Sequence, residues 1–185
     1  MSYEVLKEWS YNSFPCMIIR TEMGHLCGYV GVQSGHSFFN KKYNQCLKGC
    51  EKIPYKPHAL PGQSKEVSIE WAEMMNELSG GHWPCTSSNE NHRTIEDLIS
   101  VHGGITFTGE YEEGGKVLEG GIWWIGFDCA HTGDYNPGIA LALMKTGYLD
   151  HLLSSDEVYR DEDYVTIEVE QMAVQIKEYE SLKGK

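Results

Sequence analysis

Apolar residues fall into short β-rich runs through the first and middle parts of the chain and into helical stripes toward its C-terminus. Residues 15–20 (PCMIIR) form one run and residues 26–32 (LCGYVGV) a second. A turn-like stretch with Gly24 separates them, so the pair reads as a hairpin. Gly28 and Gly31 inside the second run predict a bulge or a close approach of something to the backbone. Residues 101–108 (VHGGITFT) read as a strand broken by glycine. Residues 121–128 (GIWWIGFD) are the most apolar run, rich in aromatic and β-branched side chains. They are expected to form a central strand paired with the one that carries Ile105, across a polar, acidic, Gly-rich connection over 109–121.

Helical periodicity is clearest at the end. Val165, Val169, Met172, Ile176 and Tyr179 recur at steps of three and four, which predicts a helix over 161–179 lying across one face of the sheet. Asp161, Glu162 and Asp163 stand at its start, where negative charge favours the helix dipole. Residues 139–153 form a second helical candidate, weakened by Gly147, and residues 94–99 a short helix or turn. The stretch 43–91 differs: it holds Pro54, Pro57, Pro61 and Pro84, three cysteines, and one apolar stripe of Val67, Trp71, Met74 and Leu78. It is too short and too broken by proline to bury its own core. The expectation is one domain over 1–185, with 43–91 as an insertion packed on the main sheet. Strands followed by late helices predict an α+β fold with a mainly antiparallel sheet, a C-terminal helix packed on one face and a Pro/Cys-containing insertion.

Charge narrows the function. Fifteen basic against 27 acidic residues leave a net charge of −12 over 185 residues. Proteins that coat long nucleic acids draw their affinity from excess lysine and arginine, so that class is disfavoured. A small anion held in a local pocket is not. No apolar run reaches the ~18–20 residues that cross a bilayer, and the first ten residues lack the basic and apolar parts of a secretion signal. A cytoplasmic chain with no membrane partner and six reduced cysteines is expected. Cys16, Cys27 and Cys129 lie in apolar runs and read as small buried hydrophobes.

Two clusters carry candidate chemistry: residues 101–106 (VHGGIT) and residues 123–134 (WWIGFDCAHTGD). If their strands pair, His102 and the stretch from Asp128 to Asp134 meet at one sheet end beside aromatic walls, the usual setting of a ligand site. Gly103 and Gly104 let backbone approach a ligand and can leave amides free to donate; a plain turn is the simpler reading. His102 and His131 are the candidate acid/base groups, with Asp128 as orienting carboxylate and Asp134 beside it. The same side chains could instead hold a divalent metal or only fix the loop, and no strong metal signature is present. Thr106 belongs to the same candidate ligand face. Trp123 and Trp124 point to opposite faces of a strand; Trp124 is the candidate to stack on a flat ligand, with core packing as the alternative. Glu168, at the edge of the last helix's stripe, needs a partner and is a candidate to anchor a histidine or a ligand hydroxyl. His36, with His25 and Lys41 and Lys42 nearby, is a candidate for an anionic ligand, which would need some of the few positive groups, Arg20, Arg93 and Arg160 among them. Cys46, Cys50, His82 and Cys85 have an irregular spacing that could clamp a structural zinc.

The stretch of Cys27 to Val32, then Gly35-His36, VHGGITF at 101–107, WWIGFDCAHTGD at 123–134 and residues 164–174 of the last helix together resemble a family of small proteins encoded by tailed bacteriophages. These pieces cover about a third of the chain; 43–91 and 109–121 do not match. The resemblance implies a phage accessory protein acting in the host cytoplasm, similar in type to counter-defence proteins that capture or destroy nucleotide second messengers such as cyclic oligonucleotides and ADP-ribose derivatives. Three readings follow: sequestration of such a signal, its hydrolysis by His/Asp chemistry, or inhibition of a host defence enzyme through an acidic surface. A homo-oligomer would suit a small pocket protein, because subunit borders often build ligand sites.

Overall fold

The structure is a computed structural model and describes residues 3–45, 47, 93–110, 112–113, 116–117, 121–146 and 156–183. Its elements are β1 (Tyr3–Tyr11), β2 (Phe14–Thr21), β3 (Leu26–Gln33), α1 (Ile95–Leu98), β4 (Phe107–Gly109), β5 (Glu112–Glu113), β6 (Lys116–Val117), β7 (Ile122–Asp128), α2 (Pro137–Thr146) and α3 (Glu162–Lys183). Five strands form one antiparallel sheet in the order β1-β2-β3-β7-β4, and α3 packs on it against β3 and β2. The fold is therefore α+β with the helix on one face. The insertion over most of 43–91, its helical stripe and the Cys46/Cys50/His82/Cys85 group lie outside the described residues, as do 147–155 of the second helical candidate.

The pleat sorts the apolar residues. Cys16 and Ile18 of β2, Val30 and Val32 of β3, and Ile125 and Phe127 of β7 meet Val165, Val169, Met172, Ala173, Ile176 and Tyr179 of α3 in one buried core. Met17, Ile19, Cys27 and Trp124, the alternate positions, form a second cluster on the opposite face. Gly28 lets the helix come close: a Cβ there would sit 2.5 Å from a Val169 methyl and 2.7 Å from the Phe127 ring. Cys16, Cys27 and Cys129 are buried free thiols. Burial above all pushes them up to about 11, about 12 and about 12, so they stay protonated and pack as small apolar groups.

Two elements differ from the sequence-based expectation. β1 carries little strand signal in the sequence, because its alternation is diluted by Glu4, Lys7 and Glu8 and shifted by an irregularity in register between Val5 and Lys7. Asn12 and Ser13, both at positive φ (51° and 73°), turn the chain so that Tyr11 pairs with Phe14. The strand expected over 101–108 begins only at Phe107. Gly103 and Gly104 take φ of 66° and 88°, and the Gly104 amide donates to the Val101 carbonyl, so the chain turns before it can pair. Pairing with β7 starts where the Thr106 amide donates to the Gly126 carbonyl.

Candidate functional site

The polar residues singled out near residues 102 and 131 converge where β7 ends and α3 begins. Three features hold them there. α3 presents Glu168 and Gln175, seven residues apart and so on one face, to the segment before the glycine turn. The Glu168 carboxylate accepts from the His102 amide at 2.9 Å, and the Gln175 side-chain amide both accepts from the Ser100 amide and donates to the Ser100 carbonyl at 2.8 Å. The loop after β7 is clipped to residues 156–160: the Tyr135 amide donates to the Val158 carbonyl and the Val158 amide to the Gly133 carbonyl. The β2–β3 turn closes the same end, with the Gly138 amide donating to the Met23 carbonyl and the Tyr159 hydroxyl to the Gly24 carbonyl.

Asp134 is the centre. Its side chain is 1% exposed, and three donors reach it: Arg160 Nε at 2.8 Å on Oδ1, His102 Nε2 at 2.7 Å and the His131 amide at 3.1 Å on Oδ2. Burial alone would raise its pKa. The bonds from Arg160, His102 and the His131 amide outweigh burial and hold the carboxyl below the ordinary carboxylate value. Tyr164 completes the other side of His102, its hydroxyl 3.0 Å from Nδ1, while the Arg160 guanidinium lies 4.8 Å over the Tyr164 ring. Burial, then the nearby Glu168 charge, raises the Tyr164 phenol, which therefore keeps its proton. In the neutral tautomer that fits both contacts, His102 donates from Nε2 to Asp134 and accepts from the Tyr164 hydroxyl at Nδ1.

His131 sits differently. Its ring centroid is 5.7 Å from that of His102, and its ring lies against Gly103, where a Cβ would come within 1.9 Å of Cδ2 and Nε2. That contact, together with the positive φ, is why residue 103 is glycine. Nε2 is buried without a hydrogen bond, 3.7 Å from Asp128 Oδ1, and the two side chains are 33% and 28% exposed. Asp128 Oδ1 also accepts from the Ala130 amide at 3.1 Å. His25 stands nearby, with the Asn136 side-chain amide 3.0 Å and the Thr21 hydroxyl 3.1 Å from Nδ1. Burial chiefly lowers the His25 pKa, against an upward pull from Asp128 and a further push down from His131.

The structure thus brings together His102, Gly103, Gly104, Asp128, His131, Asp134 and Glu168. It pairs His102 with Asp134, not with Asp128, and the Gly104 amide is spent on the turn. Thr106 is exposed at the start of the β4 pairing, beside Gly126. Trp124 shares a face with Asp128, but the Tyr29 ring lies over Gly126 between them, and Trp124 packs in the Met17 cluster at 9% exposure. His36 lies elsewhere, among Phe14, Phe38 and Glu180. Glu180 is twelve residues beyond Glu168, about 18 Å along the helix. Tyr164 and Asn136 carry no site signal in the sequence, and Arg160 stands there only among the few positive groups that an anionic ligand would need. A more specific signal did exist: Arg160 directly precedes an acidic helix start, where a cation opposes the dipole unless a partner such as Asp134 holds it.

Comparison with protein-family models, with curated proteins and with solved structures finds no match to this chain. Among the described residues, no three His, Cys, Asp or Glu side chains are grouped so as to hold a metal ion, and no helix is long and apolar enough to cross a membrane. Chemically, the rim offers a fixed guanidinium and imidazole backed by a buried carboxylate, and beside them a second imidazole–carboxylate pair that reaches solvent.

Proposed function

We propose that this chain binds and holds a small nucleotide-derived molecule at the rim formed by His102, His131, Asp128, Asp134 and Arg160. In this reading it serves a tailed bacteriophage as an accessory protein that keeps such an immune signal from its receptor in the host cytoplasm. The observation that carries the reading is the double engagement of His102. Nε2 faces Asp134 and Nδ1 faces Tyr164, while Arg160 fixes Asp134 from the other side. The imidazole is held in one orientation between a buried carboxylate and a phenol whose pKa burial raises, so both its nitrogens are occupied by the fold itself. Preorganised donors and acceptors of this kind favour holding a polar ligand, since little ordering remains to be done on binding.

Calorimetry against a panel of cyclic oligonucleotides and ADP-ribose derivatives tests the proposal. One member binds, and it is recovered chemically intact after the complex is denatured. Recovery of an altered product overturns sequestration.

A second reading, hydrolysis of the same ligand class, draws on the His131–Asp128 contact, where a carboxylate faces an imidazole that reaches solvent. In that case an altered product is recovered, and Asp128→Asn abolishes its formation.

A further inference from the structure

Of the two neighbouring imidazoles His102 and His131, the first is hydrogen-bonded at both ring nitrogens and the second at neither among the described residues. His131 Nε2 is buried and lies beyond hydrogen-bond distance of Asp128, at 3.7 Å from Oδ1. Cδ2 and Nε2 press on Gly103, so the exposed third of the side chain lies on the opposite edge, which carries Nδ1. A lone pair on Nε2 would face a carboxylate oxygen, an unfavourable meeting. The neutral ring therefore carries its proton on Nε2 and turns the Nδ1 lone pair outward as an acceptor. The loop that bears it is rigid: the His131 amide donates to Asp134, and the Asp134 amide donates to the His131 carbonyl.

The charge around that edge selects its partner. The carboxylate beside His131 is Asp128, and the Arg160 guanidinium already spends Nε on the buried Asp134, which leaves the Asp128 charge unbalanced by it. A phosphate would meet that negative charge, whereas two neutral hydroxyls of one ligand can donate, one to Nδ1 and the other to an Asp128 oxygen. We propose that the outward edge of His131 and the neighbouring Asp128 take separate hydroxyls of a ribose or similar polyol, and that a phosphate of the same ligand is held away from them. The inference rests on the reading that this rim is a ligand site, and it assigns which part of the ligand meets which residue.

Diethyl pyrocarbonate, which acylates free imidazole nitrogens, tests this on the full chain, with each histidine located by peptide mass mapping. His131 reacts several-fold faster than His102, whose two ring nitrogens are hydrogen-bonded, and than His36, whose side chain is only 9% exposed. Methyl riboside and ADP-ribose slow its labelling several-fold, and inorganic pyrophosphate at the same concentration does not. Labelling of His102 as fast as His131 overturns the inference, as does protection by pyrophosphate equal to that by the riboside. If methyl riboside protects but neither ADP-ribose nor a cyclic dinucleotide does, the inference stands and the nucleotide reading falls. If nothing protects, both fall. His131→Gln, which keeps a polar side chain of similar size, removes riboside binding while leaving the unfolding midpoint nearly unchanged. A loss of fold instead of binding assigns His131 to structure and overturns the proposal.

Discussion

Three donors converge on the two oxygens of Asp134, and the energetics of the rim follow from that carboxylate. Asp134→Asn leaves Arg160 and His102 facing an amide in place of a charge. It should destabilise the protein by about 2–3 kcal/mol in urea unfolding at pH 7, since charge-assisted bonds and a broken buried pair are both lost. The pH dependence has a definite sign. The unfolded chain titrates Asp134 near the ordinary 3.8 and the folded chain lower, so the unfolded state takes up the proton first as pH falls. The contribution is complete above about pH 5, shrinks below that unfolded value and is gone once pH has passed the folded value. His25 acts in the same direction over a higher window. Its folded pKa lies below the ordinary 6.5, so stability begins to fall as pH drops through 6.5. Unfolding midpoints measured from pH 7 to 3 should show His25→Gln flattening the upper part of the decline and Asp134→Asn the lower part. Gly103→Ala places a methyl into the His131 ring at positive φ. It should cost about 2 kcal/mol or more and remove ligand binding, read by urea unfolding and by calorimetry.

At the scale of elements, α3 is both core and scaffold. Its apolar stripe was readable from steps of three and four, and all five stripe residues are buried. Its second task was only half readable. Glu168 stood out as a carboxylate in need of a partner, but that the partner is the His102 backbone depends on how the glycine turn is folded. Gln175, which holds Ser100, carried no signal, because a glutamine at a helix edge is ordinary. The closeness of α3 to the sheet rests on Gly28. Gly28→Ala forces the helix or the Phe127 ring to move and should cost about 1–3 kcal/mol. It should also weaken ligand binding, because Glu168 and Tyr164 shift with the helix. A change in stability alone, with unaltered binding, would show that the rim is held independently of that contact. Ser13→Gly works the other way: it relieves a left-handed residue in the β1–β2 turn and should stabilise by about 1 kcal/mol in the same unfolding assay.

For the whole molecule, an excess of 12 negative charges opposes compaction. Added neutral salt should raise the thermal midpoint at pH 7 by screening that repulsion, and the rise should be smaller near pH 5, where net charge is low. The local charge at the rim follows the same sign as the chain, which favours a hydroxyl over a phosphate beside His131.

The fold class was within reach of the sequence because hydrophobic periodicity is a local property. Alternation in PCMIIR and LCGYVGV, the apolar run at 121–128 and the stripe of α3 each state which face is buried, and burial drives the assembly. The residues of the candidate site were also largely named, because glycine pairs, histidines and acidic loop residues are rare enough to stand out. Their partners were decided only in three dimensions. Asp134 and not Asp128 took His102, Arg160 and Tyr164 joined from a segment 26 or more residues away, and His36 was carried to the other end of the helix. Hydrogen bonds and ion pairs act over about 3 Å, and which groups come that close is set by strand order and helix placement, which no local pattern encodes.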